Sequence, residues 1–116
     1  MDKTLFILND APYGNERTYN ALRLAGALAG KEDLHVMVFL MADSVGCAKS
    51  GQRVPEGYYN IQLMLDKVIR HGEVALCGTC MDARGMTDAD LLTGARRSTL
   101  KELAEWTVAA NKVLVY

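Results

Sequence analysis

Short apolar runs rich in β-branched or aromatic residues alternate along this chain with segments whose apolar residues recur at helical spacing. The runs that predict strands are residues 4–8, 34–41, 73–77 and 112–116. An apolar stripe between residues 16 and 29 predicts the first helix. Because parallel strands are joined by helical crossovers, this alternation predicts helices on both faces of a mostly parallel sheet. We therefore expect one α/β domain over residues 1–116, a three-layer α/β/α sandwich with at least four strands.

Capping signals mark where further helices begin. They predict a short helix after Asp43 and Ser44, another after Thr87, and a last helix after Thr99. On the last helix we expect the buried side to be lined by Leu100, Leu103, Ala104 and Thr107. Between residues 86 and 97 the pattern is interrupted by Gly94, so we expect this segment to give the sheet little cover.

Charge is balanced along the chain. The sequence has 13 lysines and arginines against 14 aspartates and glutamates, and neither half is strongly basic. A nucleic-acid backbone or an anionic membrane is bound by a concentrated basic field, so we expect neither partner. No window approaches the ~20 apolar residues that span a bilayer, and the first residues lack the pattern of a signal peptide. The predicted location is the reducing cytoplasm, where cysteines stay as thiols.

The strongest chemical signal is the loop predicted after the third strand. Cys77 ends that strand, Cys80 follows three residues later, and the same loop contains Asp82 and Arg84. Ligands of open α/β sheets bind beyond the carboxyl ends of the strands, which is where this loop lies. A nucleophilic cysteine reacts as its thiolate, which nearby cations and backbone N–H groups stabilise. The loop therefore predicts a reactive thiol, with Arg84 as its cation.

The three cysteines also have other interpretations. At its strand end, Cys77 fits the role of a small buried apolar residue about as well as that of a reactive thiol. Cys47 is interpreted as a packing residue. A zinc site needs three or four ligands, and no second cysteine pair or suitably spaced histidine completes one, so we expect no metal. In a thioredoxin-like site a proline follows the cysteines, whereas Pro12 and Pro55 precede them. No glycine-rich nucleotide loop is present, and we expect no cofactor.

Five motifs occur in order along nearly the whole chain. They are Ala11-Pro12-Tyr13-Gly14; Phe39-Leu40-Met41; Glu56-Gly57-Tyr58 with Asn60-Ile61-Gln62; Leu76-Cys77-Gly78-Thr79-Cys80 with Asp82 and Arg84-Gly85; and Glu102-Leu103-Ala104-Glu105-Trp106-Thr107 running to Lys112-Val113-Leu114. By these motifs the chain resembles the DsrE/DsrF-like family, and within it the small cytoplasmic YchN-type branch. The cysteine motif and the tail are the most specific parts of the resemblance.

The resemblance implies a three-layer α/β/α fold with a mostly parallel sheet of five strands, and self-association into trimers or hexamers. In the sulfur-relay members of the family, a cysteine that closes the third strand carries sulfur as a persulfide, and Cys77 matches that position. Cys80 has no counterpart in those relay members, although the YchN-type branch also has it. A thiol at Cys80 can attack a persulfide on Cys77, which releases sulfide and leaves a disulfide.

The main hypothesis is a cytoplasmic sulfur-handling protein in which Cys77 accepts sulfane sulfur as a persulfide. Cys80 is the accessory thiol, Arg84 stabilises the anionic sulfur, and Asp82 orients Arg84. The residues expected to bind the ligand are Gly78, Thr79, Asn9 and Tyr13.

Two alternative functions stay open. One is a non-catalytic oligomeric module that binds a small ligand or a partner protein, and the other is a dithiol–disulfide redox protein. The partners expected for the main hypothesis are a sulfur donor or acceptor protein and further copies of the chain, in a trimer or hexamer. Because aromatic residues are enriched in interface centres, we expect Tyr58, Tyr59 and Trp106 to be shared with neighbouring subunits.

Overall fold

A computed structural model describes residues 1–116 and contains one five-stranded sheet. The strands are β1 (Asp2–Leu8), β2 (Leu34–Leu40), β3 (Glu73–Cys77), β4 (Ala95–Ser98) and β5 (Lys112–Val115). All neighbouring strands run parallel, in the order β4-β3-β2-β1-β5. The predicted α/β fold with a parallel sheet is therefore confirmed, and β4 is a strand that the sequence did not predict.

Four α-helices and two short 3-10 helices connect the strands. The α-helices are α1 (Arg17–Leu28), α2 (Ile61–Ile69), α3 (Gly78–Ala83) and α4 (Leu100–Ala109), and the 3-10 helices are Ala42–Ala48 and Asp88–Asp90. Most of the segment that we expected to be a loop after the third strand is therefore a helix, α3. None of the helices is both long and apolar enough to cross a membrane.

The order of the strands decides which face of the sheet each helix covers. From β1 through β4 the chain moves across the sheet in one direction, and right-handed crossovers place these connections on one face. The return from β4 to β5 runs the opposite way and places α4 on the other face. Consequently α1 and α2 share a core cluster of 19 buried residues, whereas the second cluster has five and receives only α4.

Helix α4 touches the sheet along a narrow line. Leu103 is buried against Leu5 and Phe39, and the half-buried Trp106 meets the ring of Phe39 edge-on at 6.1 Å between ring centroids. The four-residue buried side predicted for this helix is therefore wrong except at Leu103, because Leu100, Ala104 and Thr107 are exposed. The helix lies on the sheet through Leu103 and Trp106 instead, and Ala110, the residue that follows it, packs against the same cluster.

Aromatic residues expected at a subunit boundary are differently placed. The ring of Tyr59 stacks on Tyr13 at 5.7 Å and contacts Tyr19 at 4.5 Å between centroids. Trp106 packs on the sheet, and the guanidinium of Arg96 lies 5.5 Å from its ring centroid. Only Tyr58 among the three is largely exposed. Tyr59 and Trp106 thus have packing partners within their own chain.

Candidate functional site

Cys77 lies where the sheet changes the direction of its connections. It is the last residue of β3, and its register partner is Ser98, the last residue of β4. The chain leaves β3 through α3, whose Met81 is buried in the larger core, whereas it leaves β4 through α4 on the opposite face. Ligands of α/β sheets bind in the crevice outside the carboxyl ends of strands at such a reversal. The fold therefore places Cys77 at its most favourable binding position.

The two cysteines of the predicted site contact each other. Both are free thiols and both are half-buried. Cys77 caps the N-terminus of α3, and the backbone N–H of Cys80 donates to the Cys77 sulfur across 3.4 Å. The neighbouring Cys77 side chain also raises the pKa of the Cys80 thiol. The three-residue spacing read from the sequence thus brings both sulfurs together at the end of β3.

Cys80 is held in its protonated form. Burial, and then the neighbouring Cys77 side chain, raise the pKa of the Cys80 thiol. A hydrogen bond with the backbone of Ala42 and the positive charge of Arg84 lower it, but they offset only part of the increase. Ala42 adopts a left-handed backbone with φ of 51°, which is uncommon for a residue other than glycine. Cys80 therefore keeps its proton at neutral pH more firmly than an ordinary cysteine.

Arg84 is bound on the Cys80 side of α3. Its Nε and Nη2 atoms donate to Oδ1 of Asp43 at 3.1 and 2.8 Å, and its Nη1 atom donates to the carbonyl of Cys80 at 3.1 Å. The expectation that Asp82 orients Arg84 is therefore wrong, because the partner carboxylate comes from the turn after β2. This pair connects α3 to the neighbouring 3-10 helix.

Asp82 instead pairs with Arg97, a residue that the sequence analysis missed. The Arg97 Nη2 atom donates to Oδ2 of Asp82 at 2.7 Å, and this bond holds the pKa of the carboxyl below its ordinary value. The same guanidinium lies against Gly78, where a Cβ would stand 2.9 Å from Nε. Arg97 reaches Gly78 because β4 pairs with β3. The only signal in the sequence was a short Arg-Arg-Ser run between Gly94 and the helix cap Thr99.

A second group of charged residues fastens α4 to the sheet beside the cysteines. Arg96 pairs with Glu102 of α4 and with Glu73 of β3, and the Ser98 hydroxyl donates to Glu102. His35 contacts Glu73 at 2.7 Å between Nε2 and Oε2. Burial favours a higher pKa for Glu73, but hydrogen bonds from His35 and Arg96 outweigh it and lower the pKa. His35 is thus a structural residue.

Asn9 and Tyr13, two of the residues expected to bind the ligand, are not brought to the cysteines. The Asn9 side-chain amide donates to the carbonyl of Tyr116 at 3.0 Å. The Tyr13 hydroxyl donates to Oε1 of Gln52 at 2.5 Å and accepts from the backbone N–H of Ile61 at 3.1 Å. Both residues follow β1, which lies two positions from β3, a separation of about 10 Å between the strands. Both side chains hold loops together.

The remaining cysteine belongs to the core. Cys47 is fully buried among apolar residues, as the sequence predicted, and burial raises the pKa of its thiol from 9.0 to about 12. No group of three or more His, Cys, Asp and Glu side chains lies together in an arrangement that could hold a metal ion. The reactive groups of the site are therefore the two thiols at β3, with one arginine on either side of α3.

Comparisons with known proteins agree on one family. A sequence model described as the DsrE/DsrF-like family matches residues 2–116. Protein YchN of Escherichia coli K12 is 45% identical over the full length of both chains, and an uncharacterized protein of Methanopyrus kandleri is 35% identical over all of this chain and 95% of its own. The crystal structure of the E. coli YchN protein superposes with a TM-score of 0.94 over both whole chains. A protein of unknown function from Methanobacterium thermoautotrophicum, 12% identical, shares the fold with a TM-score of 0.79 over all of both chains.

Proposed function

The chain belongs to the DsrE/DsrF-like family, and from this premise we propose that it is a sulfur-handling protein whose Cys77 accepts sulfane sulfur as a persulfide. The observation that carries the proposal is the position of Cys77. It is a half-buried free thiol at the end of β3, beside the reversal of the sheet connections, and its sulfur already accepts a backbone N–H. Backbone N–H groups near a cysteine are among the features that make it reactive, and the half-buried sulfur stays open to a donor.

Sulfur acceptance is a simple exchange at this thiol. The Cys77 thiolate attacks the outer sulfur of a donor persulfide, and a bond forms between the two sulfurs. The bond between the donor's own sulfurs breaks, and its electron pair leaves with the donor thiolate. No net oxidation occurs, and no metal is needed. Arg97, oriented by Asp82 against Gly78, supplies positive charge beside the residue that follows Cys77.

We also propose where the protein works and which partners it binds. We propose that it works in the cytoplasm, where its thiols stay reduced. Its partners are a protein that donates or accepts sulfur and further copies of the same chain, in a trimer or hexamer. Arg84 and the exposed Thr79 lie on the solvent side of α3, where such a partner would approach.

Mass spectrometry after exposure to glutathione persulfide tests sulfur acceptance. The best starting protein is the Cys80→Ser variant, because its only half-buried thiol is Cys77. We expect one added sulfur atom on the Cys77 peptide and none after Cys77→Ser, while Cys47 serves as a buried internal control. Failure of Cys80→Ser to gain sulfur would contradict the proposal. A Cys77 that is also inert to alkylation would favour a binding module, and a Cys77 that is alkylated but takes no sulfur would favour a dithiol redox protein.

A further inference from the structure

The position of Cys80 against the Cys77 sulfur decides what happens to sulfur after it is bound. We propose that Cys80 attacks the inner sulfur of a Cys77 persulfide, so that the protein releases sulfide and is left with a Cys77–Cys80 disulfide. This inference rests on the proposed function, because it needs a persulfide on Cys77. It adds a second chemical step that converts a sulfur carrier into a protein that reduces sulfane sulfur to sulfide.

The geometry selects the sulfur that is attacked. The backbone N–H of Cys80 donates to the Cys77 Sγ atom across 3.4 Å, so the residue that carries the second thiol lies directly against this atom. In a persulfide this Sγ becomes the inner sulfur, whereas the added sulfur extends away from Cβ. Residues three apart on a helical turn have Cα atoms about 5 Å apart, within the 4.4–6.8 Å that a disulfide spans. A disulfide between residues 77 and 80 therefore needs little movement.

The step balances without a further reactant. The Cys80 sulfur forms a bond with the Cys77 sulfur, and the bond between the Cys77 sulfur and the added sulfur breaks with its electron pair on the added sulfur. The proton lost by Cys80 is taken up by that sulfur, which leaves as hydrogen sulfide. The added sulfur is reduced by two electrons, and the two cysteines are oxidised to the disulfide. A reductant of the dithiol class then restores both thiols.

The protonation of Cys80 fits the order of the two steps. Because burial and the neighbouring sulfur keep Cys80 protonated, it competes poorly with Cys77 for an external donor. Cys80 attacks only when the sulfur of Cys77 next to it carries a good leaving group, which is the added sulfur of the persulfide. Cys47 cannot take this part, because it is fully buried in the larger core.

The test follows sulfide and disulfide together. Wild type, Cys80→Ser and the control Cys47→Ala are each loaded with glutathione persulfide and separated from it without reductant. We expect wild type and Cys47→Ala to release one sulfide for each Cys77–Cys80 disulfide detected by mass spectrometry. Cys80→Ser is expected to keep its persulfide and to release sulfide at least roughly tenfold more slowly than wild type, since it lacks the adjacent thiol.

The outcomes separate this inference from the proposed function. If wild type keeps its persulfide as long as Cys80→Ser does, without a disulfide, sulfide release by the pair is wrong while sulfur acceptance stands. Finding the added sulfur on Cys80 would also overturn the inference, because it would mean attack on the outer sulfur. If Cys80→Ser gains no sulfur at all, the proposed function itself is wrong.

Discussion

Arg97 is the single residue that most changes the site from the one expected. Its charge lies beside Gly78 and Asp82, whereas Arg84 is bound to Asp43 on the far side of Cys80. We therefore expect Arg97→Gln to slow the alkylation of Cys77 by iodoacetamide at neutral pH roughly threefold to tenfold, because a nearby cation favours the thiolate. The rate is measured in a Cys80→Ser background so that one thiol reports.

Arg84→Gln is the matched control for that measurement. It removes the same charge from the end of α3, on the Cys80 side, whereas Arg97 lies on β4, so its effect on Cys77 is expected to be smaller. Equal rates for Arg97→Gln and the parent protein would show that Arg97 does not act on Cys77. A larger effect from Arg84→Gln would return the role of cation to the residue that the sequence indicated.

Local spacing accounts for the part of the site that could be predicted. Cys77 and Cys80 are three residues apart, so any turn or helix after β3 brings their sulfurs together. Arg97 reaches the site only through the pairing of β4 with β3, and that pairing has no local signature. Asp82 lies close to the cysteines, as the sequence indicated, but it pairs with Arg97 and not with Arg84, since the positions of Arg97 and Asp43 depend on the folded chain.

Cys47 gives the protein a measurable dependence on alkaline pH. Burial raises the pKa of its thiol from 9.0 to about 12 in the folded chain. Above pH 9 the unfolded thiol loses its proton while the folded one keeps it, so the free energy of unfolding falls as pH rises towards 12. This residue alone contributes a slope of up to about 1.4 kcal/mol per pH unit.

Urea unfolding between neutral pH and about pH 10 measures this slope. Other groups also titrate there, so the informative quantity is the difference between wild type and Cys47→Ala. We expect the variant to lose less stability over that interval. Parallel curves for the two proteins would mean that Cys47 ionises in the fold as it does in the unfolded chain.

At the scale of secondary structure, alanine substitutions at two glycines are expected to change the stability of the fold in opposite directions. A Cβ at Gly72, just before β3, would stand 2.2 Å from the carbonyl oxygen of Val36 in β2. At Gly26, inside α1, the nearest atom is the movable Lys67 Cδ at 3.4 Å. We expect Gly72→Ala to destabilise the fold by about 2 kcal/mol or more, because two backbones must separate. Gly26→Ala should stabilise it by about 0.5–1 kcal/mol through the higher helix propensity of alanine.

Urea denaturation of both variants checks the pair. The midpoint is expected to fall for Gly72→Ala and to rise for Gly26→Ala, with the dependence on urea unchanged. A stable Gly72→Ala protein would mean that the chain before β3 can move away from β2. A destabilised Gly26→Ala protein would mean that Lys67 is fixed across α1.

The elements that the sequence predicted are those with a long periodic signal. Strands β1 and β2, and helix α1, bury continuous runs or stripes, and their predicted bounds differ little from the observed ones. Strand β4 was missed because its four residues include two arginines and form an edge of the sheet. Helix α3 was expected to be a loop, since six residues starting with glycine carry too little pattern.

Across the whole molecule, the two faces of the sheet are unequally covered. Five strands place the outer strand axes about 19 Å apart, and a helix with its side chains is about 10–12 Å wide. Helices α1 and α2 together match that width on one face, but α4 alone leaves about half of the other face open. Around the gap lie Val113 and Val115 of β5, with Ile7 and Met41 half-buried beside them.

This open face is where we expect further copies of the chain to bind. It is apolar, and Cys77 packs against the same small core, so a neighbouring subunit would also approach the cysteine site. The open face predicts self-association, and the resemblance to the family implies that the native chain of 12.7 kDa sediments as a trimer or hexamer. Burial of apolar side chains drives such an association, and a charge placed among them opposes it.

Val115→Glu and Leu63→Glu form a matched pair for this prediction. Each residue is 65% exposed in the single chain, but Val115 lies on the open face and Leu63 on α2 over the opposite one. In sedimentation equilibrium we expect Val115→Glu to dissociate towards monomers and Leu63→Glu to behave as the parent does. A native protein that is monomeric at micromolar concentration would show that α4 suffices to cover the sheet. Dissociation by Leu63→Glu with no effect of Val115→Glu would place the subunit contact on the helical face instead, away from Cys77.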